Sequence, residues 1–325
     1  MRRAARRRGQ GAGRMALHRL AQLAPLLLAI TFLSFAMMRL AGSDAVLQRM
    51  DNTGAVLSQE VIDAARAELG LDRPFLEQYF RWLGGVLHGD MGTSYVSGRD
   101  VSATFAAKLP ATLLLTAVSI GLTVAVSVPL GVLAAVCHGR PVDWLLRAAS
   151  FAGGSMPNFF VALLLMYLFS IKLGWLPVIA TGTDLQSVLL PALTLAIAMS
   201  ARYLRQVRAA VLEELNKPYV AGAAARGVRF SVTLWGSVLR SALGAILTLL
   251  ALSAGSLLGG TAIVESIFLW DGVGKLAVDA IQMRDYPVIQ AYVMWMAVIY
   301  VGVNLVTDLL YPLLDPRIRL GGDRP

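Results

Sequence analysis

Apolar runs that approach or exceed the length of a membrane span alternate with polar links along most of this sequence. About 20 consecutive apolar residues cross the hydrocarbon core of a bilayer. Six uncharged runs of this kind lie at 20–38, 111–137, 148–171, 185–201, 241–264 and 286–307. The pattern predicts an all-α polytopic membrane protein with six transmembrane helices. The first run exceeds the ~7–15 apolar residues of a cleaved signal peptide, so we expect it to remain as an anchor.

The polar stretches between these runs define the predicted domain organisation. In chain order, we expect a basic tail at 1–19, the first transmembrane helix at 20–38, a loop region at 39–108, a transmembrane domain of five helices at 109–320 and a short tail at 321–325. The fourth and fifth transmembrane helices are separated by a polar island at 202–240.

The loop region at 39–108 contains two recognisable helices. In the first, SQEVIDAARAELG, Ser58 suits the N-cap and Gly70 suits the end. The second begins near Pro74, which favours the first turn of a helix. Its amphipathic stripe is expected to pack on the outer membrane surface or on the helix bundle, and consists of Phe75, Leu76, Tyr79, Phe80 and Leu83.

The composition supports a membrane protein and its charge distribution predicts the orientation. Hydrophobic residues make up 57 % of the chain and charged residues only 15 %, against about a quarter in soluble domains. With six spans, 19 Arg and Lys residues lie on the side of the termini and the island, and nine lie on the other. The positive-inside rule therefore places both termini and the island in the cytoplasm. The basic residues abut apolar runs, so the net charge of +9 does not indicate a nucleic-acid partner.

Several residues within or beside the spans are candidates for a hinge or a translocation path. Pro157 should kink its helix, because proline removes a backbone donor. A GxxxG pair permits close helix packing, and Glu265 either lines a pathway for a cation or lies in interfacial water. The candidates are Met156, Pro157, Asn158, Gly255, Gly259 and Glu265.

No catalytic or metal-binding motif is present in the sequence. The stretch GVGKL at 272–276 resembles the end of a phosphate loop, but it lacks the upstream glycine and has Leu276 in place of the Ser or Thr that would contact magnesium. Cys137 is the only cysteine and the three histidines are scattered, so no cysteine cluster is available for a metal. We expect a chain without enzymatic activity that binds no cofactor and no metal of its own.

The centre of the polar island, YVAGAAARGV, resembles the cytoplasmic coupling loop of the permease subunits of ATP-binding-cassette (ABC) importers. In that loop a short helix sits in a cleft of the ATPase subunit. Small side chains permit close docking, and Gly227 suits the turn that ends the helix. The resemblance assigns the ATPase-coupling role to Tyr219, Ala221, Gly222, Ala223, Ala225, Arg226 and Gly227.

Further segments narrow the resemblance to the dipeptide, oligopeptide and nickel permease family. The similar stretches include LGLDRPFLEQYFRWLGGVLHGDMGTSY, SMPNFFVALLLMYLFS, GGTAIVESIFLWDGVGKLAVDAIQMRDYPVIQ and LDPRIRL. The resemblance as a whole extends over essentially residues 20 to 320. The sequence departs from the family pattern at Ala221, where the coupling motif usually opens with glutamate, at Ala245, where a proline is common, and at Trp270-Asp271-Gly272.

The resemblance implies a multi-pass subunit of a bacterial inner-membrane importer. Its expected partners are a second permease subunit, two ATPase subunits that use ATP and Mg, an extracytoplasmic solute-binding protein and the lipid membrane. Within the family the chain looks most like the first of two nickel permeases, so nickel or a nickel chelate is the expected solute. The alternative is a di- or oligopeptide importer. A different class, an ATP-independent secondary transporter or channel, would show an internal repeat or charges within the spans.

Overall fold

The computed structural model describes residues 24–40, 58–68, 70, 72–180, 182–244, 246, 257 and 261–314. These residues form helices and connecting turns, with one isolated β-bridge between Thr93 and Asp100 and no strand. The helices are α1 (Ala24–Leu40), α2 (Gln59–Glu68), α3 (Phe75–Leu87), α4 (Val101–Val136), α5 (Pro141–Ser155), α6 (Asn158–Leu165), α7 (Leu185–Leu215), α8 (Pro218–Ala225), α9 (Phe230–Thr233), α10 (Ala262–Phe268), α11 (Val273–Gln282) and α12 (Tyr286–Leu314). Two π-helical turns, Met166–Lys172 and Leu234–Val238, continue α6 and α9. The predicted all-helical class is confirmed.

Three described helices are long and apolar enough to cross a membrane, namely α4, α7 and the Tyr286–Val306 part of α12. The bent pair formed by α5 and α6 with its π-helical end makes a fourth if it is one span, and α1 is a shorter apolar helix of 17 residues. Most of the predicted run at 241–264 lies outside the described residues. The count of six spans therefore stays a prediction.

The chain breaks sharply at Pro157, where the sequence predicts a kink. Met156 has an extended backbone (φ −82°, ψ 131°), because the ring of a following proline disfavours the helical conformation. Pro157 is also extended and caps the start of α6. The two helical arms meet at 101°. The expected kink is confirmed, and it is a complete interruption rather than a bend within one helix.

Helix α7 is much longer than the apolar run that predicts it. It begins after Asp184, whose carboxylate accepts a hydrogen bond from the Ser187 backbone N–H at 3.3 Å. It contains Pro191 and continues past Ala201 to Leu215. The apolar run at 185–201 therefore covers only part of the helix, because falling hydropathy marks the edge of the lipid and not the end of a helix. The polar residues that follow are good helix formers.

The chain divides into two compact units. The first contains the residues up to Thr112 together with Asp271–Val301, and the second contains Leu113–Trp270 together with the residues from Gly302 onward. In the second unit, close helix packing centres on α7, which contacts α5, α6 and α10.

In the first unit, α3 packs on α1 through aromatic side chains. The ring centroids of Phe32 and Tyr79 lie 5.3 Å apart and those of Phe35 and Phe75 lie 5.4 Å apart, both edge to face. Tyr79 is buried and its hydroxyl is 3.1 Å from Thr31 Oγ1. This part of the predicted amphipathic stripe therefore packs on a neighbouring helix.

Two other members of that stripe, Leu76 and Phe80, are exposed. Leu76 is 55 % exposed and Phe80 is 63 % exposed, and Leu87 at the end of α3 is exposed on the same side. Residues at i, i+4 and i+11 share one face of a helix. Helix α3 thus has a second, uncovered apolar face beside the one that packs on α1.

The predicted bounds of α2 are close to those observed, with Gly70 in a left-handed conformation (φ +66°) after the helix.

Candidate coupling helix

Helix α8 occupies the centre of the polar island and has a defined start and end. Pro218 stands at its first position, where the fixed φ of proline favours helix and its missing N–H is not needed. At the other end, the Gly227 N–H donates to Ala224 O at 2.9 Å and the Val228 N–H donates to Ala223 O at 3.1 Å. This pair of bonds is a Schellman motif. Its left-handed residue is Gly227 (φ +77°), as the sequence predicts.

Glu214, near the end of α7, fixes the start of α8. Its carboxylate forms an ion pair with Lys217 and accepts a hydrogen bond of 2.9 Å from the Tyr219 hydroxyl. The Glu214 side chain is mostly buried. Because both partners lie at the junction between the two helices, these contacts set the direction in which α8 leaves α7.

One face of α8 packs on the core of the second unit and the other is open. Ala223 is buried and Val220 packs against a hydrophobic cluster. The buried members of that cluster come from α4, α7 and the segment after α8, and are Val132, Ala135, Tyr203, Val207, Val211, Leu234, Val238, Ala242 and Ile246. The exposed face carries small side chains at Ala221, Ala224 and Ala225. Such a face allows another backbone to approach closely.

Helices α4 and α7 approach each other closely beneath α8. A Cβ atom added at Gly131 would lie 2.7 Å from Val207 Cβ and 3.0 Å from Leu204 O. Real Cβ atoms do not occupy such positions, so only glycine fits here without a shift of one helix. Val207 belongs to the cluster on which α8 packs. The glycine therefore sets the spacing of the helices that support α8.

A buried ion pair joins the start of α5 to the C-terminal part of α7. Asp143 is 1 % exposed, and its two carboxylate oxygens accept hydrogen bonds from Arg208 Nε at 2.6 Å and Arg208 NH2 at 2.8 Å. The Gly139 N–H donates to the same carboxylate at 3.1 Å, and His138 Nδ1 lies 2.9 Å from Arg208 NH2. Sequence reasoning missed this site. Its only signal was an acidic residue beside Pro141 in a basic link.

A second set of contacts joins α5 to α7 one turn away. Arg205 NH1 donates to Ser150 O at 3.2 Å and to Ala201 O at 2.8 Å, and its guanidinium lies 5.1 Å from the centre of the Phe151 ring. Cβ atoms added at Gly153 and Gly154 would make ordinary contacts with Ala201. Helix α7 is therefore held firmly to the helical arm that precedes the break at Pro157.

Two of the predicted hinge residues line a cavity beside this break. Met156 and Asn158 contribute to its wall together with Met199, Arg202 and Leu257, and its volume is about 310 Å³. Pro157 forms the break itself. Gly255 and Gly259, also predicted in this group, lie outside the described residues.

Glu265 is a buried residue of the second unit. It belongs to α10, and its side chain has no exposed surface. Its backbone N–H donates to Thr261 O at 2.8 Å, and its carbonyl accepts from the Trp270 N–H at 2.8 Å. Because the side chain is buried, the interfacial-water interpretation does not fit this structure. A role of Glu265 in a translocation pathway stays a prediction.

Two solved structures of ABC transporters contain a chain with a similar arrangement of helices. The chain is similar to an inward-facing MetNI methionine ABC transporter, with a TM-score of 0.56 and 16 % sequence identity over 65 % of this chain and 96 % of that chain. It is also similar to an amino acid ABC transporter, with a TM-score of 0.51 and 21 % identity over 66 % and 94 % of the two chains. At these identities the similarity defines the fold alone. The chain therefore shares its helical fold with chains of these ABC transporters.

Sequence similarity defines the family. Residues 127–320 match the binding-protein-dependent transport system inner membrane component, and residues 13–116 match the N-terminal membrane component of such systems. The chain is 39 % identical over 304 residues to the oligopeptide transport system permease protein AppB of Bacillus subtilis, covering 90 % of this chain and 95 % of AppB. It is 38 % identical over 301 residues to the glutathione transport system permease protein GsiC of Pectobacterium atrosepticum, covering 93 % and 97 %.

The chain belongs to the family of binding-protein-dependent transport system inner membrane components. It is an ABC importer permease and has no catalytic role, since ATP hydrolysis takes place in separate subunits of such systems. The prediction that the chain is not an enzyme is confirmed. The ATP-independent transporter that the sequence left as an alternative is set aside by this membership.

Proposed function

We propose that this chain is one of two permease subunits of an ATP-driven importer of small peptides. The observation that carries the proposal is the similarity to AppB and GsiC over at least 90 % of the chain at 38 and 39 % identity. Those proteins are named for oligopeptide and glutathione transport. They favour the peptide alternative over nickel, the solute that the sequence motifs first suggested. Those motifs are shared by peptide permeases and therefore do not discriminate between the solutes.

The topology that goes with this proposal has six spans and both termini in the cytoplasm of a bacterial inner membrane. The excess of Arg and Lys on the side of the island supports it. In this orientation α8 faces the cytosol, and the region of α2 and α3 faces outward. The importer would also contain a second permease, two ATPase subunits that use ATP and Mg, and an extracytoplasmic solute-binding protein.

In the proposed mechanism α8 receives the motion of an ATPase subunit and passes it to α7. The open face of small side chains suits a cleft in a partner, and the buried face rests on the hydrophobic cluster of the second unit. Glu214 fixes α8 to α7, and Arg208 and Arg205 fix α7 to α5. These contacts form a continuous physical connection from α8 to the break at Pro157. The second candidate solute, nickel, would use the same coupling.

Uptake in cells that lack the chain tests the solute. Labelled dipeptide, tripeptide and glutathione uptake is measured with and without the restored chain, and nickel uptake is measured in parallel. We expect peptide uptake to depend on the chain and excess peptide to compete with it. Uptake of nickel that depends on the chain and is unaffected by peptides would refute the peptide assignment and restore the nickel interpretation.

A further inference from the structure

The first unit contains a cavity that is rich in hydrogen-bond donors and has no assigned role. Its volume is about 330 Å³, and it lies between the end of α1, the polar face of α3 and the start of α12. Arg39 and Arg81 contribute positive charge to its wall, and Asp90 is the only acidic residue among the described residues that line it. One Asp90 oxygen already accepts the Gly92 N–H at 2.8 Å. The described part of the wall therefore carries a net positive charge.

Several donors in this wall have no acceptor among the described residues. Arg39 and Arg81 form no ion pair with another described residue, and the buried Trp82 Nε1 has no hydrogen-bond partner there. Gln290 lines the cavity and is only 8 % exposed. Its side chain makes no hydrogen bond to another described residue. A buried donor without a hydrogen-bond partner is unfavourable. A ligand with several acceptor oxygens would satisfy these groups together.

The surroundings of the cavity are those of a membrane surface. Arg39 stands one residue before the end of the apolar helix α1, and its guanidinium lies 6.0 Å from the Phe35 ring centroid. Arginine at such a position keeps its stem on apolar surface and its head group in the polar interface. The exposed apolar face of α3, with Phe80 and Leu87, flanks the same helix pair and suits lipid chains.

We propose that this cavity binds the phosphate of an anionic phospholipid, with phosphatidylglycerol as its occupant. Guanidinium groups bind phosphate through paired, charge-assisted hydrogen bonds, and two of them suit a head group with net negative charge. Phe35 and Met38 supply an apolar wall for the glycerol region. The volume lies at the lower end of the ~300–1,000 Å³ found for ligand sites, which fits a head group better than a peptide of several residues. The site concerns the first unit and is independent of the transported solute.

Native mass spectrometry of the purified importer complex, titrated with phosphatidylglycerol, tests this proposal. We expect one phosphatidylglycerol to bind about tenfold or more tightly to the wild type than to the Arg39→Gln/Arg81→Gln double variant, because two charge-assisted contacts are lost. Arg99→Gln is the matched control, since it removes an exposed arginine of the same segment that does not line the cavity. It should bind as the wild type does. Arg39→Lys with Arg81→Lys should retain part of the affinity, because the charge remains.

The same titration contains the outcomes that overturn the proposal. Equal affinity of the wild type and the double variant for phosphatidylglycerol would refute the proposal. Equal binding of phosphatidylglycerol and zwitterionic phosphatidylcholine by the wild type would also refute it. Displacement of the lipid by inorganic phosphate at matching concentration would show that the site takes a free anion. Displacement by a transported peptide would assign the cavity to the solute. If the double variant does not assemble, the head-group comparison and the lysine variant decide the question.

Discussion

Asp143 and Arg208 form a two-pronged ion pair in which both carboxylate oxygens accept hydrogen bonds, at 2.6 and 2.8 Å. The carboxylate is almost fully buried, and the guanidinium belongs to the part of α7 that leads to α8. Removing one member of a buried pair leaves an uncompensated charge, which costs about 3–5 kcal/mol. The pair thus holds the start of α5 against α7, the helix that precedes the candidate coupling helix α8.

Asp143→Ala should therefore destabilise the importer and reduce uptake, because Arg208 loses its only strong anionic partner among the described residues. Thermal unfolding of the purified complex measures the loss. The double variant Asp143→Leu/Arg208→Leu should be less destabilised than either single variant, since no buried charge is left alone. A single variant as stable as the wild type would contradict this account of the pair.

Gly227→Val should abolish uptake while the chain still inserts in the membrane. Valine is disfavoured at φ +77°, so the Schellman motif that ends α8 would be distorted. Gly227→Asn is the matched control, because asparagine tolerates left-handed backbone better than other residues, and it should retain much of the activity. Membrane fractionation and peptide uptake measure the two effects. Normal uptake by the valine variant would refute the coupling role of this turn.

Gly131→Ala should destabilise the protein by roughly 1–3 kcal/mol, as expected when a packed contact is overfilled. The new methyl group would lie 2.7 Å from Val207 Cβ, so α4 and α7 would have to move apart. Gly121→Ala on the same helix is the control, because nothing lies within 4 Å of its added Cβ. Thermal unfolding should separate the two variants. Equal melting temperatures would show that α4 and α7 are not in close contact at this point.

The proposed topology can be tested by cysteine labelling, because the chain has only one native cysteine to remove. In a Cys137→Ser background, Arg226→Cys should react with a membrane-impermeant maleimide only after the cells are opened, because α8 is proposed to face the cytosol. Asp72→Cys, in the loop before α3, should react in intact cells whose outer membrane is permeable to the reagent. The reverse labelling pattern would contradict the orientation.

The sequence predicts local features of this fold well where one residue decides the backbone. The end of α2 at Gly70, the break at Pro157 and the left-handed turn at Gly227 each depend on a glycine or a proline. Helix length was less predictable. The end of α7 at Leu215 could not be predicted from hydropathy, because leaving the lipid does not end a helix.

Contacts between distant segments could not be predicted from one sequence. Asp143 and Arg208 are 65 positions apart. Considered alone, each is an ordinary charged residue in a polar segment between two apolar runs. The burial of Glu265 is also a tertiary effect, since α10 packs on α6 and α7, which are distant in sequence. The donors around the cavity at Arg39 and Arg81 come together only when α1 and α3 pack.

The most direct test of the coupling role is photo-crosslinking from the open face of α8 in living cells. A photoreactive phenylalanine analogue replaces Ala224, which is exposed, and in a matched control it replaces Leu87, which is exposed on α3. Irradiated membranes are analysed for adducts by mass spectrometry. We expect an adduct between position 224 and an ATPase subunit, and none between position 87 and that subunit. An adduct from position 224 to an extracytoplasmic protein, or an ATPase adduct from position 87 alone, would contradict it.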